Sequence, residues 1–244
     1  MDTKKRGLPL KIDNDGIIDS IVMLQFETDY NLKKLEAILV DYLNNKLTNN
    51  GFEATPLRIN DIKDSNEANR TDCFYSDGQL KVFIDGDRFV INCIGEYPGW
   101  SDILGRFSWE IIKTFWEYVK FSVVGVRYIS MLINDSLIEN LDGSIIFNNL
   151  DIFNGANYHF TCGACTDDGK HKSNISVHLT EKGVVNNTLS SIVDIEATTL
   201  LKDFNPMSFN DVYNHLNYCH YIEKDIYYRL LSDKYVDSHN PVWS

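Results

Sequence analysis

The sequence predicts an α+β fold, with helices packed on one face of a curved antiparallel sheet. Three observations carry that reading. Short runs rich in Val, Ile, Phe and Tyr recur along the chain, several of them closed by Asp-Gly pairs. Longer stretches with apolar residues at helical spacing interrupt these runs. The first half reads strand, helix, strands, helix, and the second repeats that rhythm with a loop in place of its early helix. No residue-level repeat accompanies the rhythm. Two pseudo-repeated halves, about 17–122 and 123–231, would form a single domain, with 1–16 and 232–244 as irregular termini.

The elements follow in order. Residues 19–28, DSIVMLQFET, form a compact apolar run of strand formers. Leu32, Leu35, Leu39, Tyr42 and Leu43 predict an amphipathic helix over 30–48. Asn31 or Asp29 would cap it and Asn50-Gly51 would end it. The polar stretch 60–72 reads as a loop. Strands over 73–76, 79–84 and 87–94 are joined by Asp77-Gly78 and Asp85-Gly86, because Asp-Gly supplies the backbone angles of tight hairpins. Tyr97-Pro98-Gly99-Trp100 breaks the pattern. Ser101 then offers an N-cap for a helix to about Phe121, whose apolar face holds Leu104, Phe107, Ile111, Phe115 and Val119.

A long strand over 123–133 opens the second half, followed by strands over 144–147, 158–166, 171–180 and 191–199. Asp168-Gly169 would close the hairpin between the middle two. Pro206 and Ser208 open a last helix, with Asp211 placed to complete a capping box. Its buried stripe is Phe209, Val212, Leu216, Cys219, Ile226 and Leu230. This element order resembles TATA-box-binding-like folds, which implies a saddle with one sheet face open to solvent or to a partner.

Composition narrows the function classes. Of 244 residues, 43% are hydrophobic and 12% aromatic, enough for a substantial core. Lys plus Arg number 23 against 35 Asp plus Glu, a net charge of −12. Such a chain repels phosphate backbones and anionic lipid, so direct nucleic-acid and membrane binding are disfavoured. The amino-terminal MDTKKRGLPLKIDND lacks the apolar core of a secretory signal, and no run is long enough to span a bilayer, so a cytoplasmic protein is expected. Five irregularly spaced cysteines suit reduced thiols.

Several segments together carry a family resemblance. Pro9 precedes IIDSIVMLQFE; LKVFIDGDRFVINC follows; then come EYPGW before a Trp-rich helix, VGVRYIS, and a closing helix with His220. The chain resembles a sporadically distributed family of prokaryotic proteins of about this length and without known activity. Their signature is a Gly-Leu-Arg-Tyr-Ile-Asn strand after a helix introduced by Tyr-Pro. Val126 and Ser130 depart from it, where Leu and Asn are usual. The resemblance implies an association with phage-defence or toxin–antitoxin systems.

Arg127 is the most informative single residue, because a guanidinium in a packed strand must find acceptors. It would anchor an anionic ligand in a pocket, or it would bridge strands internally. Strand alternation sends Tyr128 to the opposite face. Cys162 and Cys165 with His171 and His178 raise a weak zinc alternative, though an offset of three in a strand puts the two thiols on opposite faces. Asp85-Gly86-Asp87 and Asp167-Asp168-Gly169 read as turns rather than calcium loops. His215 and His220 lie five apart on the last helix without a recognisable nucleophile, so His220 reads as a packed or capping histidine. Trp100 and Trp109 fall off the apolar helix face, so both are expected at an exposed partner surface.

No catalytic motif or cofactor motif stands out. The sequence therefore points to a non-enzymatic, acidic interaction component that holds a protein partner, a basic effector encoded nearby being the natural candidate. Homodimerisation is open. The alternative is a sensor or enzyme for a small anionic ligand, built around Arg127.

Overall fold

Alternating burial along the strands decides the architecture. In β2 (Ile17–Glu27), Ser20, Val22, Leu24 and Phe26 are buried and the residues between them only half so. The same alternation runs through β5 (Leu80–Asp85), β6 (Arg88–Ile94), β7 (Lys120–Ile133), β11 (Lys172–Val185) and β12 (Thr188–Leu200). One sheet face is therefore covered along its length and the other is not. The computed structural model describes residues 8–13, 15–46, 55–57, 74–76, 80–94, 97, 99–133, 137–140, 146–147, 150–151, 159–167, 171–185, 188–201 and 208–243.

The sheet is antiparallel throughout and the fold is α+β. With β3 (Thr55–Leu57), β4 (Phe74–Ser76) and β10 (His159–Asp167), its order is β10-β11-β12-β7-β2-β6-β5-β4-β3. Seven of these strands are long, and β3 and β4 add three residues each at one edge. The covering layer is α1 (Leu32–Lys46), α2 (Gly105–Phe115) and the 22-residue α4 (Phe209–Leu230). Phe89 of β6 sits at its centre, with ring centroids 4.8 Å from Phe26 and 4.4 Å from Phe115. On α4, Cys219 Sγ lies 3.2 Å from Thr199 Oγ1 of β12, and burial pushes its thiol pKa up to about 11. That thiol is a core group and not a nucleophile.

Several local expectations hold. Asn31 caps α1 through Oδ1, which accepts from Lys33 N at 2.9 Å. Ser208 and Asp211 form the full capping box of α4, with Ser208 N donating to Asp211 Oδ2 at 2.9 Å. The Asp85-Gly86 turn joins β5 to β6, with Gly86 at φ 60°. Asn50-Gly51, the 60–72 loop, Asp77-Gly78, Asp168-Gly169 and Pro206 lie outside the described residues.

Other boundaries differ for physical reasons. Ser101 does not cap α2; the chain turns at Gly99 (φ 93°) and enters through a π-helical turn, Trp100–Leu104. That wider turn lays the Trp100 indole against Gly105, where an added Cβ would sit 2.8 Å from the ring. α2 ends at Phe115 rather than near Phe121, because Phe121 already pairs with Phe26 across β7 and β2. The expected strand over 144–147 contributes β8 (Ile146–Phe147), which pairs with β9 (Leu150–Asp151) apart from the main sheet. A four-residue helix, α3 (Leu137–Asn140), precedes it.

The termini are also more ordered than expected. β1 (Pro9–Lys11) pairs with β13 (Val242–Trp243), after α5 (Asp233–Ser238) has brought the chain back. Asp13 N donates to His239 O at 2.7 Å, and Ile12 is fully buried. The two ends therefore tie to each other.

Candidate functional site

Among the described residues, the sheet face free of helices is where side chains with chemistry remain accessible. Its middle is built by β5, β6, β2, β7 and β12, whose outward positions register with one another. Ile21, Met23, Phe83, Val90 and Gly125 make an apolar floor, and Asp85, Arg88, Arg127 and Glu196 stand around it. Together they line a concavity of about 560 Å³. Gly125 has no room for a side chain, since an added Cβ would lie 2.7 Å from Thr198 Cγ2.

Arg127 lies on this face, flanked in register by Glu196 on β12 and Ile21 on β2. Its guanidinium is held bidentately by Asp194: Nε donates to Oδ1 at 2.8 Å and Nη2 to Oδ2 at 2.7 Å. The Asp194 hydrogen bonds raise the Arg127 pKa, and Glu196 and Asp19 add to the effect. A planar fork on a planar carboxylate is the strongest arrangement this pair has. Arg127 thus reaches the concavity already neutralised, which favours the strand bridge over the free anion anchor. Asp19, one strand over, accepts from Asn92 Nδ2, and burial raises its pKa. Counting Asp19, Asp85, Asp87, Asp194 and Glu196 against Lys81, Arg88 and Arg127, the middle of the face is net acidic.

A second cluster lies on the covered face. Tyr128, next to Arg127 but pointing the other way, is 3% exposed. Its hydroxyl is 3.2 Å from Tyr97 Oη and 3.1 Å from His220 Nδ1. The Trp100 indole stacks on His220 at 4.5 Å and 10°, and its Nε1 donates to Asn217 Oδ1 at 2.8 Å. One turn on, Glu223 is 5% exposed. Burial pushes the His220 imidazole down to about 3, so it is neutral near pH 7, and pushes the Glu223 carboxyl well above the ordinary carboxylate range. This chain of aromatic and polar groups fastens the Tyr97 segment and β7 to α4. It is the site that residue-by-residue sequence reading missed. The available signal was the aromatic and histidine content of three separate stretches, since Tyr97 and Trp100, Tyr128, and His220 come together here.

The expected exposure of the tryptophans is corrected. Trp100 is packed as described, and Trp109 sits 5.0 Å from Phe209 and 5.1 Å from Tyr213, between α2 and α4. Both are half-buried against the core or the last helix, because α4 covers the side of α2 that sequence periodicity leaves open. The four zinc candidates are not assembled. In β10, Cys162 is opposite Val177 and Cys165 opposite Asn174, so their side chains leave opposite faces. His178 turns to Thr161 on the open face, while His171 stacks on Tyr218 of α4 at 4.2 Å. Among the described residues, no group of three or more His, Cys, Asp or Glu side chains is placed to hold a metal ion. No described helix is long and apolar enough to cross a membrane.

Comparison with known protein families, with curated proteins and with solved structures gives no match.

Proposed function

We propose that the protein is a non-enzymatic interaction component whose helix-free sheet face receives a segment of a partner protein that is basic with an apolar centre. The observation that carries this is the concavity of about 560 Å³, with an apolar floor, Asp85 and Glu196 at its rim and its Arg127 already bound to Asp194. An apolar anchor would fill the floor, and cationic side chains would meet Asp85 and Glu196 at the rim. The net charge of −12 would draw such a partner in from a distance. This is the chemistry of an antitoxin-type component or another member of a phage-defence system, the association that the family resemblance implies.

We further infer that the chain is two pseudo-repeated halves in TATA-box-binding-like order, occupying a cytoplasmic setting. The strand order supports the repeat: β2 and β7, the first strand of each half, pair at the centre, and the last strand of each half, β6 or β12, lies directly outside its own first strand.

The second reading is a small anionic ligand at Arg127, favoured by the fact that Arg127 and Arg88 both line the concavity. Titration with a Lys-rich peptide carrying central Leu residues, and separately with inorganic phosphate, distinguishes the two. Salt-sensitive peptide binding that Met23→Lys abolishes supports the first reading. Phosphate binding lost in Arg127→Ala, with no response to the peptide, replaces it with the second.

A further inference from the structure

The two edges of the main sheet are unlike. β3 carries Pro56, which lacks a donor and blunts its edge. At the other end, β10 presents nine residues, HFTCGACTD, in unbroken register with β11. Thr161, Cys162, Gly163, Ala164 and Cys165 are all exposed. The strand has no proline, lysine or bulge, which are the usual guards against further pairing. The surrounding charge also changes. Although the chain carries −12, residues 159–185 hold Asp167, Asp168 and Glu181 against Lys170, Lys172 and Lys182, and so are neutral. Self-association through this hairpin meets no local repulsion.

We propose that β10 pairs antiparallel with β10 of a second copy, about a two-fold axis through Gly163 perpendicular to the sheet. Full overlap of the nine residues, together with the rule that opposed residues share a face, selects Gly163 as the centre. That register sets His159 opposite Asp167 of the second copy at each end of the ladder and leaves no side chain at the crowded axis. The monomer itself does not demand glycine there: an added Cβ would come no nearer than 3.7 Å, to Ile175 O. The two-fold keeps the faces aligned, so both helix-free faces of the dimer look to the same side. An edge-only contact is small, which makes the association concentration-dependent.

Light scattering of the full chain across a concentration series tests this. The mass rises from 28.1 kDa towards twice that value. Gly163→Lys holds it at the monomer mass with unchanged thermal unfolding, because the monomer has room for the side chain but the axis does not. Register is read by oxidation with oxidised glutathione: Thr161→Cys in a Cys162→Ser background opposes the new thiol to Cys165 of the second copy and gives a covalent dimer. Adding Cys165→Ser abolishes that dimer. A monomer at every concentration, a dimer indifferent to Gly163→Lys, or cross-linking that does not need Cys165 overturns the proposal. So does a monomer whose β10 instead captures an unrelated peptide.

Discussion

Arg127 shows how a residue can be legible in kind and not in use. A guanidinium inside VVGVRYIS had to find acceptors, and the sequence alone left pocket and bridge both open. Only strand register brings Asp194, 67 residues away, under it. Arg127→Ala leaves the Asp194 carboxylate, 13% exposed, without its partner; with the Arg127 side chain 42% exposed, solvent limits the cost to about 1–2 kcal/mol in denaturant unfolding. Arg127→Lys recovers part of this, since an ammonium cannot reproduce the fork. His220 adds a pH prediction. Its folded pKa of about 3 lies below the ordinary 6.5, so the unfolded chain takes up the proton first as pH falls. Stability is lost between those values at about 1.4 kcal/mol per pH unit, and His220→Gln removes about one proton from that slope. Glu223 acts in the opposite sense. Its raised pKa means the folded state keeps a proton that the unfolded state releases, so stability falls as pH rises above the ordinary carboxylate pKa of 4.5. Glu223→Gln therefore gains stability relative to wild type at neutral and alkaline pH, read by thermal unfolding.

At the scale of elements, caps and periodicity were the readable features because their partners are two to four residues away. Asn31 and the Ser208–Asp211 box stand where the sequence predicts them. Ser208→Ala costs about 1 kcal/mol in unfolding free energy, as the loss of an N-cap does. Boundaries set by distant contacts were not readable. The end of α2 depends on Phe121 pairing with Phe26, and its start depends on Trp100 reaching across to His220 and Asn217. Likewise, β1 is a strand only because β13 returns to meet it. Phe89, packed between Phe26 and Phe115 with no exposure, is the element contact with the largest consequence: Phe89→Ala costs about 3–5 kcal/mol, measurable as a shift of the denaturation midpoint at constant m.

For the whole molecule, strand alternation made a one-sided sheet legible from sequence, with the open face as its corollary. The concavity was not legible, because its floor draws Met23, Phe83, Val90 and Gly125 from four strands whose order no local signal fixes. The acidic excess was visible as a total but not as a location. A small part of that excess, five carboxylates against three cations, shares the face with the concavity, and this local charge is what a basic segment would meet. The direct measurement is paired affinity capture from the native host at low salt, with wild type and Met23→Lys as baits and both checked for equal folding. The account predicts one stoichiometric basic protein on wild type, released by salt and missing from Met23→Lys. No stoichiometric protein on wild type, or the same protein held equally by both baits, would contradict it.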